Sequence, residues 1–470
     1  MPLTAPDKTK GAVIPVQPIT AQVSPEGALR FVESETGREL LAEKPIHGLS
    51  VPARHYLPVR GDLYHIEANF AAYEDEHIYG LGQHQHGRLD QKGCVIDLVQ
   101  RNTEVSIPFM LSSRGYGFLW NNPAIGRVEL GYNATRWVAQ AATQIDYWIT
   151  AGRTPAEVLC HYASATGHVP LLPDWASGFW QSKLRYSTQA ELLSIAHQHL
   201  ERGLPLAVIV IDFFHWTKQG DWQFDPACWP DPAAMVKDLA ESGVQVMVSI
   251  WPTVNRLSQN FEPMWQHGHL VRTARGTPAQ MYFVDNEARD GIYLHYYDPT
   301  NPEARQFIWE RVREGYYRHG IKVYWLDVCE PEMLPLHPDN LRYHIGDGEA
   351  VANAYPFFSR AGLLRGSEIG RGTRDLAVLP IRLGGQPALW GSGVVGRYTI
   401  HVRSITSASA RWIEYGSERH SVVDNRYRRL SRRRSIHTIF SRTDRSLVPI
   451  RHILPPLPVA RTSEAKYKRF

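Results

Sequence analysis

The sequence predicts an N-terminal antiparallel β-sandwich over residues 1–165, then the N-terminal portion of a (β/α)8 TIM-type barrel over 166–379. Three observations carry this. Up to about residue 165 the chain reads as short alternating segments broken by Gly, Pro and Asn, as in L-Y-H-I-E-A-N-F, V-S-I-P-F-M-L-S-S and G-Y-G-F-L-W-N-N-P, the pattern of half-buried strands joined by turns. Beyond it, wholly apolar runs alternate with helical stretches, which requires a parallel sheet buried on both faces. Three of those runs end on Asp212, Trp251 and Asp327, polar or aromatic residues at successive strand ends.

The elements follow in order. T-P-A-E-V-L-C-H-Y-A-S-A-T-G, Thr154 to Gly167, places Thr before a Pro at the first helical position and Gly at the far end, so a capped helix connects the two parts. After W-A-S-G-F-W a helix is predicted from Thr188 to about Glu201, then the buried strand L-A-V-I-V-I ending in Asp212. D-P-A-A-M-V-K-D-L-A-E-S-G is a helix closed by Gly243, and V-Q-V-M-V-S-I a strand ending at Trp251. A helix from Pro302 to about His319 leads into the apolar run Val323 to Leu326, which ends in Asp327 and Glu330 and is stopped by Pro331. A doubly wound sheet is the alternative. The chain has no G-x-G-x-x-G at a strand-to-helix turn and no G-x-x-x-x-G-K, so it lacks the phosphate-binding element of dinucleotide and P-loop proteins.

With 470 residues, 43% hydrophobic and 21% charged, the chain is long enough for two or three domains with sizeable cores and too apolar to be disordered. Its four cysteines, Cys94, Cys160, Cys228 and Cys329, are far apart and form no C-x-x-C pair, so reduced thiols are expected in place of a disulfide framework or a zinc site. The N-terminus lacks an apolar signal core, and no run reaches the ~18 apolar residues of a membrane span. A cytoplasmic protein is the expectation. The net charge of +4 is unevenly spread: residues 381–470 hold 18 Lys and Arg against 5 Asp and Glu, leaving 33 against 42 in residues 1–380. A basic tail on an acidic body ordinarily suggests nucleic-acid or membrane contact.

A carboxylate at a barrel mouth among aromatic residues suits attack on a sugar anomeric carbon, with a second carboxyl about 5 to 5.5 Å away in retaining enzymes. Asp327 and Glu330 are the carboxyls that the third strand delivers. Glu330, three residues on, either faces the same cavity or orients Asp327. Asp212 suits charge-assisted hydrogen bonds to sugar hydroxyls, with its neighbour Phe213 beside it, and Trp251 and Trp180 are candidate stacking walls or plugs of the barrel top. A metal held by Asp327, Glu330 and Glu332 is disfavoured because no histidine accompanies them. Y-G-L-G-Q-H-Q-H-G, Tyr79 to Gly87, pairs two histidines without a third ligand, so it is expected to be a sandwich loop reaching towards the site.

W-A-S-G-F-W-Q-S-K-L-R-Y, V-I-V-I-D-F-F-H-W, S-I-W-P-T, Y-D-P-T-N-P-E-A-R and Y-W-L-D-V-C-E-P-E, with Y-G-L-G-Q-H and G-F-L-W-N-N-P upstream, resemble glycoside hydrolase family 31. The resemblance runs in collinear order from about residue 50 to 379. It implies a β-sandwich followed by a (β/α)8 barrel and a retaining α-glycosidase without metal or organic cofactor. It also implies Asp327 as nucleophile with Glu330 its close partner, sugar contacts at Asp212 and Trp251, and an oligosaccharide or small α-glycoside as partner, with no nucleic acid and no membrane. The F-W-Q-S-K-L-R-Y form is most similar to the bacterial α-xylosidase branch, with α-glucosidase next.

The family's later motifs, among them V-W-S-G-D-I with the acid/base aspartate, do not follow. In their place stand G-V-V-G-R-Y at Gly393 to Tyr398, R-H-S-V-V-D-N-R-Y-R-R-L at Arg419 to Leu430 and I-R-H-I-L-P-P-L-P-V-A-R at Ile450 to Arg461. Codons for V-W-S-G-D-I, GTG TGG TCG GGC GAT ATA, give G-V-V-G-R-Y when read with the last base of the preceding codon, and the other strings arise at the same offset. Residues 380–470 are therefore expected to be an out-of-frame, Arg-rich tail. On that expectation the acid/base carboxyl is lost, and the alternative function is a sugar-binding remnant.

Overall fold

The computed structural model describes residues 12–368 except 46–50, 170, 287 and 333–335, together with the strands Ala377–Val378 and Ile400–Ile405. The N-terminal part contains two five-stranded antiparallel sheets. One runs Arg54–Arg60, Leu63–Ala71, Ala134–Ala142, Gly126–Leu130, Val95–Leu98; the other runs Ile400–Ile405, Gln144–Ala151, Tyr116–Trp120, Val105–Ser112, Ile78–Gln83. Alternation along the strands sends Ile66, Ala68 and Phe70 from the first sheet and Phe118, Trp120 and Tyr147 from the second into one core. A further four-stranded meander, Ala12–Val16 to Glu39–Ala42, precedes them and adds Phe31 and Leu40 to that core. The stretch Ile400–Ile405 pairs with Gln144–Ala151 at the sandwich edge and not with the parallel sheet.

The connecting helix is Pro155–Thr166, its Thr154 side chain accepting from the Glu157 N–H and Gly167 closing it. The second sheet system is parallel, in the order Trp180–Ser182, Val208–Ile211, Gln245–Ile250, Val323–Leu326, Ala377–Val378. Helices Gln189–Glu201, Pro232–Glu241 and Pro302–Gly315 start on the side-chain caps of Thr188, Asp231 and Asn301. They cover one face, where Ile209, Ile211, Val246, Val248 and Tyr324 meet Leu192, Met235, Leu239, Ile308 and Val312. The helix expected to reach His319 ends at Gly315, because Tyr316 leaves the helical conformation (φ −133°) and a short 3-10 turn, Tyr317–His319, replaces the last turn.

The other face is the interior. Register places Ser182, Val210, Met247, Val323 and Ala377 side by side, and Val208, Val210, Met247 and Val323 form a small buried cluster with the half-buried Trp175, Trp180 and Trp325. Side chains alternate along a strand, so Asp212, Trp251 and Asp327 continue the series 208–210, 247–249 and 323–325 onto the same interior face.

Between the strand ending at Ile250 and the helix starting at Pro302 lies an inserted antiparallel sheet, Thr253–Asn255, Ala288–Tyr296 and Met281–Asp285. Sandwich loops join the segment after Asp327. The Asn102 N–H donates to Glu332 at 3.0 Å, Asn353 donates to the Leu98 and Ala124 carbonyls and accepts from the Gln100 N–H, and Arg60 pairs with Asp347 and Glu349. Among the described residues, no helix is long and apolar enough to cross a membrane.

Candidate active site

The site lies at the C-terminal ends of three neighbouring strands. Asp212 follows the strand Val208–Ile211, Trp251 follows Gln245–Ile250 and Asp327 follows Val323–Leu326, with the middle strand paired to both others. The Asp327 N–H donates to the Ile250 carbonyl at 3.2 Å, so strand pairing persists to the carboxylate itself.

Asp212 is 7% exposed. Its Oδ1 accepts from the Phe213 N–H at 2.7 Å. Burial pushes its carboxyl above the usual range and the neighbouring Asp327 charge pushes the same way, against the Phe213 N–H and the positive charge of Arg185. Two carboxyls that feel each other in a partly dehydrated mouth are the arrangement that separates acid from anion in hydrolytic sites. Asp327 Oδ1 accepts from the Val328 N–H at 2.9 Å. Val328 has φ +57°, a conformation that a β-branched residue adopts only when its surroundings force it. Glu330 lies in the same turn, and both it and Asp327 act on the buried Cys329 thiol, which burial first and these charges second hold strongly protonated.

Aromatic rings line the mouth. Phe213 and Trp251 lie 4.8 Å apart, Trp216 and Trp251 6.0 Å, and Trp251 and Phe283 of the inserted sheet 5.6 Å. Arg185 stacks 4.3 Å over Phe213 and 4.4 Å over Phe214. Trp251 is 6% exposed, and among the described residues its indole N–H has no acceptor, nor has the buried Ser249 hydroxyl on the same interior face a partner. Orphaned buried polar groups are costly; beside two carboxylates and a stack of rings they suit a polyhydroxylated ring with apolar faces.

The structure thus brings together Asp212, Phe213, Trp251 and Asp327, with Glu330 in the turn that follows Asp327 beside the buried Cys329. Trp180 stands apart. It pairs in register with Val208, four residues before Asp212, or about 13 Å lower at ~3.3 Å per residue. It packs on Trp175 at 6.1 Å and donates to the Ala176 carbonyl, so it fills the interior and lines no part of the mouth. His84 and His86 stack at 5.7 Å, with His84 Nε2 donating to the Leu81 carbonyl and no metal-holding group of three or more His, Cys, Asp or Glu among the described residues. Arg185, Trp216, Phe283 and Val328 were not singled out from the sequence. Arg185, Trp216 and Val328 stand in the motif strings, whereas only tertiary pairing reveals Phe283.

Residues 169–415 match the TIM-barrel domain of glycosyl hydrolases family 31, and residues 7–129 match the family's N-terminal galactose mutarotase-like domain. An uncharacterized family 31 glucosidase of Pseudescherichia vulneris is 45% identical over 314 residues, 67% of this chain and 58% of that protein. Alpha-xylosidase A of Aspergillus niger is 35% identical over 352 residues, 70% of this chain and 47% of its own length. The crystal structure of a family 31 alpha-xylosidase from a soil metagenome, complexed with xylose, superposes with TM-score 0.72 at 42% identity, covering 79% of this chain and 57% of that one. The chain spans about half the length of the curated relatives it matches. On the match to the barrel domain over more than half of its residues, it belongs to glycoside hydrolase family 31.

Proposed function

We propose that this chain carries the nucleophile half of a retaining α-glycosidase acting on terminal α-linked xylosyl or glucosyl residues. The observation that carries it is the convergence of Asp212 and Asp327 on the interior face of strands flanking Trp251. In this reading the Asp327 carboxylate attacks the anomeric carbon while the glycosidic C–O bond breaks, giving a glycosyl ester that water then hydrolyses. Asp212 accepts hydrogen bonds from sugar hydroxyls, while Phe213 and Trp251 wall the ring and the orphaned Trp251 N–H donates to it. Glu330 orients Asp327 or serves it as the proton-carrying partner. The α-xylosidases among the relatives and the xylose-bound neighbour favour xylose as the sugar.

The stretch from about residue 380 is proposed to be out of frame, so the family's acid/base aspartate has no counterpart in it. General acid catalysis contributes about 10²- to 10⁴-fold, and substrates with good leaving groups depend on it least. The test is an aryl α-xyloside: a burst of phenol matching the enzyme concentration, lost in Asp327→Ala, supports the enzyme. Xylose binding with no burst supports the sugar-binding remnant. Resequencing the gene from about codon 370 decides the frame: if the extra or missing base disappears, the protein continues into the acid/base aspartate, and if the shift is confirmed, the chain keeps a nucleophile without that partner.

A further inference from the structure

One buried titratable side chain beside the site has no part in the mechanism above. His215 is 1% exposed and lies three residues after Asp212. Its Nδ1 is 2.9 Å from the Asp212 carbonyl oxygen and its Nε2 is 2.8 Å from the Tyr316 hydroxyl. A carbonyl only accepts, so Nδ1 carries the proton. Burial pushes the imidazole down to about 4, so the ring is neutral and Nε2 accepts from the Tyr316 O–H. One tautomer therefore satisfies both partners. Tyr316, wholly buried, closes the helix that feeds the strand of Asp327.

The span from Asp212 to His215 needs such a brace. Phe214, between them, has φ +68°, which an aromatic residue holds only when its surroundings over-determine it. The bond from His215 back to the Asp212 carbonyl closes this turn, and Phe214 is held on its other side by the ring contacts with Phe213 and Trp216 at 4.8 and 6.3 Å. We propose that His215, locked between the Asp212 carbonyl and the Tyr316 hydroxyl, is a positioning residue that sets the strained Phe214 turn and thereby presents Asp212 and Phe213 to the sugar. This rests on the sugar-binding reading of the site. It links the backbone of one carboxylate-bearing strand to the helix leading into the other.

The experiment compares Tyr316→Phe, His215→Ala and His215→Asn with the wild-type full chain. Xylose affinity is followed by tryptophan fluorescence, folding by the urea midpoint, and the Asp212 carboxyl by its NMR pH titration. Loss of one hydrogen bond in the brace is expected to weaken xylose binding about 10-fold in Tyr316→Phe, beyond the modest fall in urea midpoint that an unpaired His215 Nε2 brings, and more in His215→Ala. His215→Asn, whose amide N–H replaces Nδ1–H, is expected to recover most of the affinity. The Asp212 titration is expected to move down towards the ordinary carboxylate range in Tyr316→Phe and His215→Ala as water enters the loosened turn. Unchanged affinity and an unchanged Asp212 titration in both would overturn the proposal, as would losses that merely track the urea midpoint and are not relieved by Asn. If the wild-type chain binds no xylose, the functional reading falls by itself. The Asp212 titration then still decides whether His215 positions that carboxylate.

Discussion

Two buried carboxylates, one in each half of the molecule, are treated in opposite ways. Glu43 in the sandwich is 6% exposed and takes both Arg54 N–H groups at 2.9 and 2.8 Å, the Tyr147 hydroxyl at 2.7 Å and the Leu29 N–H at 3.0 Å. It ties the N-terminal meander to both sandwich sheets. Asp212 in the barrel is buried to the same degree, yet accepts from the N–H of the next residue and faces a second carboxylate. Glu43 is compensated as a structural charge must be. Asp212 is left under-compensated at a mouth lined with rings, as the proposed sugar site requires.

The same contrast extends to packing. The sandwich core interlocks Phe70, Phe118, Trp137 and Tyr147 at ring separations of 4.9 to 5.4 Å, all fully buried. The barrel sheet is well covered on its helical face, but around its first strand Leu171, Leu172 and Leu184 are 99%, 60% and 70% exposed. Exposed apolar side chains beside a strand edge invite association.

The largest expected effect falls on chemistry. Asp327→Ala should reduce the aryl-xyloside burst by at least about 10³-fold while the urea midpoint stays near wild type, as checked by stopped-flow absorbance and denaturation. An equal burst would remove Asp327 from the reaction. Next comes Glu43→Ala, which strands Arg54 and the Tyr147 hydroxyl in the core and should destabilise the protein by about 3–5 kcal/mol in urea unfolding; a loss below ~1 kcal/mol would place Glu43 with weak surface pairs.

Asp212→Asn should behave oppositely to Glu43→Ala, raising the urea midpoint at neutral pH while weakening xylose binding. The sign follows from linkage. A folded-state pKa raised above the unfolded one means the native state holds the proton more tightly. Stability is therefore highest below the ordinary carboxylate range and falls as pH rises through that range to the raised value. Urea midpoints measured across this window should show the descent in the wild type and lose that contribution in Asp212→Asn. The smallest effect is expected for Asp231→Ala, which removes the side-chain cap on the Ala234 N–H at 2.9 Å and should cost about 1 kcal/mol without touching the burst.

The sequence by itself determined what is local. Caps at Thr154, Thr188 and Gly167 and apolar runs ending at Asp212, Trp251 and Asp327 were legible because helix ends and strand burial depend on neighbours a few residues away. The motif strings around them were enough to indicate the family. Tertiary structure alone decided depth and pairing. It put Trp180 far below the mouth, since register between strands and not position in a motif sets height in a barrel. It carried Phe283 to Trp251 on an inserted sheet and joined His215 to Tyr316 across 101 residues. It also gave one buried carboxylate a full set of donors and another little beyond the N–H of its neighbour, because that difference rests on donors brought from remote parts of the chain, and no local pattern of residues records them.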